Sequence, residues 1–437
     1  MKWKWHGSAR RFLHPADELV AVMERIYRYN MTTTSGGNLS IRDEDGSIWI
    51  TPARVDKGRL SRDDIVHVLE DGTVQGRHPA SSEFPFHQRI YKSRPDLSAI
   101  VHAHPVALVA FSISASLPNT RLLAKARAVC GVIGFAPYAL PGSTRLGENI
   151  ATVFADGFNC VLLENHGVVV GGVTLQEAFE RFETMEFACR TDLKARTLGA
   201  APHYLTDEEL AVCGQRGRFR METFSSGGAP STRERAIRRE LCEFVRRGYR
   251  QRLLISTEGS FSARVEADSF VITGHEIDRA FVESLDLVLI RNGCQEAGYQ
   301  PSEAVRLHEA IYRKYPQIHS VVIATPVNAT AFSVTHQKLN VRTIPESYIF
   351  LRDVQALPFA WAYGDGRDVA EAVSPEYPVA LLEDGGALVI GKSILDAFDR
   401  LEVLETTAEA VINAGLLGAV NPMDDAVIEE LVEAFLK

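Results

Sequence analysis

The sequence predicts a layered α/β fold that occurs twice in the chain, and three observations carry that expectation. Stretches with helical apolar spacing alternate with short apolar stretches of strand length, the pattern of helices packed on a sheet. The run His87-Gln88-Arg89-Ile90-Tyr91 to Val101-His102-Ala103-His104-Pro105 aligns without a gap on His308-Glu309-Ala310-Ile311-Tyr312 to Val322-Ile323-Ala324-Thr325-Pro326. Residues 102 and 323 stand 221 apart, as do 87 and 308. Between the two runs, Gly214 to Thr232 contains Ser225-Ser226-Gly227-Gly228-Ala229-Pro230-Ser231, a linker composition without apolar period. The expected organisation is a first domain over 1–212, a linker over 213–232 and a second domain over 233–437.

In the first copy the apolar spacing predicts a helix over 15–30, strands near 47–51 and 64–69, and a helix over 83–93. Continuous apolar runs then predict buried strands at 98–103 and 159–163, and a long amphipathic helix over 174–196 follows. The same order returns in the second copy. Gly37-Asn38-Leu39-Ser40 faces Gly259-Ser260-Phe261-Ser262, and Leu162-Leu163-Glu164-Asn165-His166-Gly167 faces Leu381-Leu382-Glu383-Asp384-Gly385-Gly386. The helix from Thr174 matches the one from Ser393 position for position. Where the first copy has His102, His104 and His166, the second has Ile323, Thr325 and Gly385. That loss predicts one active half and one scaffolding half.

A chain of 437 residues with 46% apolar content suffices for two ordinary cores. The net charge of −9 argues against nucleic acid or an anionic membrane surface as partner, because both are met by basic surfaces. Arginines crowd residues 233–252, but their helical spacing with Glu234, Glu240 and Glu243 reads as a solvated face. Six scattered cysteines form no CxxC pair, so neither a disulfide framework nor a thiolate zinc site is expected. Met1-Lys2-Trp3-Lys4-Trp5-His6 lacks the apolar core of a signal peptide, and two histidines interrupt the best apolar run, 97–117. The expected location is the cytoplasm.

His102 and His104 lie two residues apart at the end of an apolar strand, so both imidazoles project to one face. His166 follows a second apolar strand, where the chain turns at Gly167. Three imidazoles from two strand ends make a metal site that keeps a position open for substrate. Ser81-Ser82-Glu83 precedes the helix over 83–93 and has two readings. One is a serine cap with an acidic first turn. The other is an anion-binding N-terminus with Glu83 turned to the metal as acid/base.

Gly37-Asn38-Leu39-Ser40, Ser81-Ser82-Glu83, His102-Ala103-His104-Pro105, Ala136-Pro137-Tyr138-Ala139-Leu140-Pro141-Gly142 and Asn165-His166-Gly167-Val168-Val169 together resemble the class II aldolase/adducin family. The resemblance covers most of residues 15–200, and the second half resembles the family as a degenerate copy without the ligands. It implies a three-layer α/β/α domain with a mainly antiparallel central sheet. It also implies a divalent ion, zinc first with Mn2+, Co2+ or Fe2+ as alternatives, on His102, His104 and His166. Glu83 would be the acid/base, and Gly37, Asn38, Ser81 and Ser82 an anion pocket. Rings of four such domains are the family's habit, so a homodimer forming a pseudo-fourfold ring is expected.

Two departures bear on the substrate. The family's phosphate loop continues after its Thr-Pro pair with Ser or Thr and then Gly, whereas Thr51-Pro52 continues here with Ala53-Arg54. Arg54 is suited to a carboxylate or a phosphate. Family aldolases also take a Tyr from a neighbouring subunit's loop after the His-x-His strand, and no Tyr lies between Val101 and Pro137. The equivalent loop of the second half holds Tyr348, which becomes the candidate donor. The leading expectation is a metal-dependent lyase that makes or breaks a carbon–carbon bond in a small sugar-phosphate-like or hydroxy-keto compound. A decarboxylase, dehydratase or epimerase on the same metal, and a non-catalytic adducin-like scaffold, are the alternatives.

Overall fold

The computed structural model describes residues 13–214, 221–225 and 228–436. The N-terminal hexapeptide and the linker residues Ser226 and Gly227 lie outside them. The chain forms two compact units, residues 1–120 with 125–190, and residues 121–124 with 191–437.

The first unit is built on an eight-stranded sheet. Its strands are β1 (Asn38–Arg42), β2 (Ile48–Ile50), β3 (Val66–Val68), β4 (Val74–Gln75), β5 (Ala99–Ala103), β6 (Ile133–Ala136), β7 (Cys160–Leu163) and β8 (Gly167–Gly172). They run in the order β4-β3-β2-β1-β5-β8-β7-β6, and only the β6–β7 pair is parallel. Alternation along β5 and β8 divides the core between the two faces. Ala99, Val101, Ala103, Val168 and Val170 pack with Leu19, Met23 and Ile26 of the helix Pro15–Arg28 and with Phe179 and Phe182 of the helix Leu175–Thr197. Ile100 and Val169 pack instead with Phe86 and Ile90 of the helix Phe84–Ser93 and with Ile150 and Phe154 of the helix Thr144–Ala155. Helices therefore cover both faces, which gives the three layers.

The second unit repeats this plan. Its strands are β9 (Thr223–Phe224), β10 (Ser260–Glu266), β11 (Ser269–Thr273), β12 (Leu287–Arg291), β13 (Cys294–Glu296), β14 (Ser320–Ala324), β15 (Gln355–Leu357), β16 (Val379–Leu382) and β17 (Gly386–Gly391). Read from the far edge, β13-β12-β11-β10-β14-β17-β16-β15 is the order of the first sheet, with β9 added beside β13. Asn38 pairs with His102 across β1 and β5, and Ser260 pairs with Ile323 across β10 and β14. A buried polar triad is also copied. Ser40 Oγ lies 2.7 Å from both His87 Nδ1 and Tyr91 Oη, and Ser262 Oγ lies 2.7 Å from both His308 Nδ1 and Tyr312 Oη. Such groups are buried without penalty only when fully paired, so the triad survives as part of the fold in both halves.

The compact units divide within the helix Leu175–Thr197, with residues 191–212 grouped with the second unit. Inside the expected linker, Thr223 and Phe224 pair in parallel with Gln295 and Glu296, which satisfies an edge of the second sheet. The arginine-rich helix Thr232–Arg250 is not wholly a solvated face. Arg238 is buried with Glu234, whose Oε1 accepts from its Nε at 2.8 Å, and it donates to the carbonyls of Ser284 and Leu287. Among the described residues no helix is long and apolar enough to cross a membrane.

Candidate metal centre

Strand parity sends His102 to the face covered by the helix Phe84–Ser93, where it is fully buried with its ring edge-on to Phe86 at 5.5 Å. Its Nδ1 lies 2.9 Å from the carbonyl of Val168 on the neighbouring strand. A carbonyl only accepts, so this bond puts the proton on Nδ1 and leaves the Nε2 lone pair facing the site. His104 Nε2 lies 3.2 Å from His102 Nε2. His166 stands in the β7–β8 turn, which is fixed from the helix Val106–Ile113. Ser112 Oγ donates to the Leu163 carbonyl at 2.6 Å and accepts from the His166 amide at 3.0 Å. The three ring centroids are 4.9 to 5.0 Å apart, and one nitrogen from each ring falls in a common cluster.

Two glycines let the chain close around these rings. Gly37 has φ +72°, and a Cβ there would sit 2.7 Å from the His102 carbonyl. A Cβ on Gly167 would sit 2.6 Å from both the Ala103 carbonyl and His104 Cδ2. Either substitution would displace a histidine from the cluster.

Glu83 occupies the N-cap position of the helix Phe84–Ser93, but its side chain makes no cap bond. The acidic-first-turn reading is thereby corrected, because the carboxylate turns away from the helix amides and toward the imidazoles. Its Oε2 accepts from Asn38 Nδ2 at 2.8 Å and lies 3.2 Å from His102 Nε2, while Oε1 lies 3.6 Å from His166 Nε2. Asn38 is held in turn by His87, whose Nε2 meets Asn38 Oδ1. Tyr91, Ser40, His87, Asn38 and Glu83 thus form one hydrogen-bonded series. In the second half the position matching Glu83 is Ala304, buried, and the one matching Asn38 is Ser260, bonded to His308.

Burial disfavours the charged imidazole, and together with neighbouring ring charge it holds His104 down to about 3 and His166 down to about 4. Burial opposes ionisation of Glu83 as well, but His102, His166 and Asn38 outweigh it and keep the carboxyl well below its ordinary value. Burial lowers His102 too, but Glu83 and the Val168 carbonyl outweigh it and raise this imidazole above its ordinary value. A divalent ion would take the place of that proton between the rings and the carboxylate. Two atoms fit that use. Among the described residues Glu83 Oε1 and His166 Nδ1 are buried without a hydrogen-bond partner.

The other candidate residues surround this cluster less closely. Ser81 Oγ accepts from the Glu83 amide at 3.3 Å, and Ser82 is exposed next to it. The Thr51 hydroxyl accepts from the Leu39 amide at 3.1 Å, and Thr273 accepts from Phe261 at 3.2 Å in the second half, so this bond belongs to the fold. Arg54 is exposed in a left-handed turn with φ 57°. Tyr348 is half-buried on the helix Pro345–Leu351 of the second unit. His87 and Asn38 are the residues whose part in the site the motifs understated.

The chain is 31% identical over 204 residues to the 3-oxo-tetronate 4-phosphate decarboxylase of Haemophilus influenzae, covering 46% of this chain and 96% of that protein. It is 31% identical over 198 residues to the L-fuculose phosphate aldolase of Escherichia coli K12, covering 45% of this chain and 91% of that protein. A solved L-fuculose 1-phosphate aldolase is 30% identical, with a TM-score of 0.43 over 47% of this chain and 96% of its own. The family described as Class II Aldolase and Adducin N-terminal domain matches residues 17–193 and again 239–412. The chain belongs to the class II aldolase and adducin family, and carries its domain twice.

Proposed function

We propose that the first copy is a divalent-metal-dependent lyase that breaks or forms a carbon–carbon bond beside a carbonyl in a small phosphorylated hydroxy-carbonyl compound. The observation that carries this reading is the convergence of three imidazole nitrogens, those of His102 and His166 lying beside the Glu83 carboxylate. His102, His104 and His166 would hold the ion, with zinc the first candidate for three imidazoles. A divalent ion held there supplies a Lewis acid that draws electron density from a substrate carbonyl.

The chain's own groups supply the proton transfer. Asn38 engages Oε2 of Glu83, so Oε1, which has no hydrogen-bond partner among the described residues, is the atom that takes a proton from substrate. In an aldol cleavage the β-hydroxyl loses its proton to Oε1, the α–β carbon bond breaks toward the carbonyl, and the proton returns to the α carbon. Decarboxylation breaks the corresponding bond to a carboxylate and leaves the same electron pair. The two named relatives perform these two reactions, which supports a shared cleavage step and leaves the leaving group open. Both their names include phosphate, and Gly37, Asn38, Ser81, Ser82, Thr51 and Arg54 are the proposed anion site.

Metal content and turnover of a panel of phosphorylated ketoses and 3-oxo acids test the proposal. Wild type should retain a divalent ion through purification and consume one class of the panel, losing turnover on chelation. His102→Ala should lose both ion and turnover. A His102→Ala variant that keeps full turnover would end the proposal.

A further inference from the structure

Among the described residues a second convergence of ligand atoms lies wholly in the second unit and shares no residue with the first. His203 Nδ1 and His336 Nε2 approach the same carboxylate oxygen, Asp384 Oδ2, at 3.0 and 3.1 Å. We infer that His203, His336 and Asp384 form a second metal site, a two-histidine, one-carboxylate set for a first-row divalent ion such as Zn2+.

Ligands about 2.1 Å from a tetrahedral ion sit roughly 3.4 Å from one another. The 3.0 and 3.1 Å separations are therefore close to what a shared ion needs, and all the ligand atoms fall in one cluster. Asp384 is 2% exposed, and among the described residues its Oδ1 is buried without a hydrogen-bond partner. An unpaired buried carboxylate oxygen is costly, and a cation beside it offsets that cost. The two imidazole side chains are 36% and 39% exposed, so the cluster opens to solvent on one side and leaves positions for water.

The donors are held by backbone contacts to one short segment. The His203 amide donates to the Val334 carbonyl at 2.7 Å, and the Asp384 amide to the Ser333 carbonyl at 3.3 Å. His336 ends that segment in a left-handed conformation, φ 52°. On the far side of His203, Glu209 Oε2 lies 3.8 Å from Nε2. The repeat makes the set specific to the second half, since Ala115 and Asn165 stand at the positions of His336 and Asp384. The site would clip residues 181 apart in the chain, and an ion that binds only the folded state raises stability by mass action.

Metal stoichiometry tests the inference on the full chain. The protein is stripped with chelator, titrated with Co2+, and its bound metal counted by equilibrium dialysis. His203→Gln/His336→Asn replaces two partly exposed side chains, and Asn tolerates the left-handed backbone at 336. This variant should bind one equivalent fewer than wild type. The His102→Ala/His104→Ala variant should still bind one equivalent, so failure at the first site is read separately. An unchanged count in the His203/His336 variant, with circular dichroism matching wild type, overturns the second site. Asp384→Asn gives the same reading should that variant misfold.

Discussion

Glu83 is positioned by residues that never reach the metal cluster. His87 is fully buried between Ser40 and Asn38, and burial chiefly pushes its imidazole down to about 3. An unfolded histidine titrates near ~6.5. Between those values the unfolded chain takes up a proton that the folded one refuses, so the contribution is complete above ~6.5 and is lost as pH falls toward 3. Urea midpoints of metal-free protein should therefore drop more steeply from pH 7 to pH 4 in wild type than in His87→Gln, and parallel curves would contradict it. The histidine ligands were legible in the sequence because strand alternation alone places His102 with His104. Asn38 was not legible as the holder of Glu83, because its place depends on the pairing of β1 with β5 and on a helix 45 residues away.

At the scale of elements, the duplication extends to buried carboxylates at helix N-termini. Glu186 accepts from the amides of Ala107 and Leu108, and Glu405 accepts from those of Asn328 and Ala329. Each carboxylate satisfies amides that the helix leaves unpaired and meets the positive end of its dipole. Burial raises the Glu405 carboxyl, and the Asn328 and Ala329 amides oppose that rise. Glu405→Ala should lower unfolding stability by about 2 kcal/mol, the usual cost of stranding buried donors, with metal content of the first site unchanged. Guanidinium denaturation measures it, and a loss below ~0.5 kcal/mol would show the amides satisfied otherwise. Strong periodicity made the helices over 15–28, 84–93 and 175–197 readable within two residues of their ends. The buried pair Arg238 and Glu234 was not readable, since charge spacing on a helix does not reveal that the carbonyl at the start of β12 meets Arg238.

Across the whole molecule the two copies share strand order, register and the Ser–His–Tyr triad, and differ where the chemistry is. That contrast was visible in the sequence as three lost histidines, and the replacement of Glu83 by Ala304 extends it. The proposed assembly is a homodimer with four family domains, in which Tyr348 is the candidate for the tyrosine that completes the site. Light scattering should give twice the chain mass, and Tyr348→Phe should lower turnover with metal content unchanged; an active monomer would contradict the assembly. The central claim is that the first copy carries the chemistry on a metal and Glu83. Turnover and bound metal should be measured on the same preparations of wild type and Glu83→Gln, with the substrate found in the panel. The expected result is equal metal and turnover lower by about two to four decades, the usual worth of a placed proton-transfer group. Equal metal with turnover within threefold of wild type would contradict it.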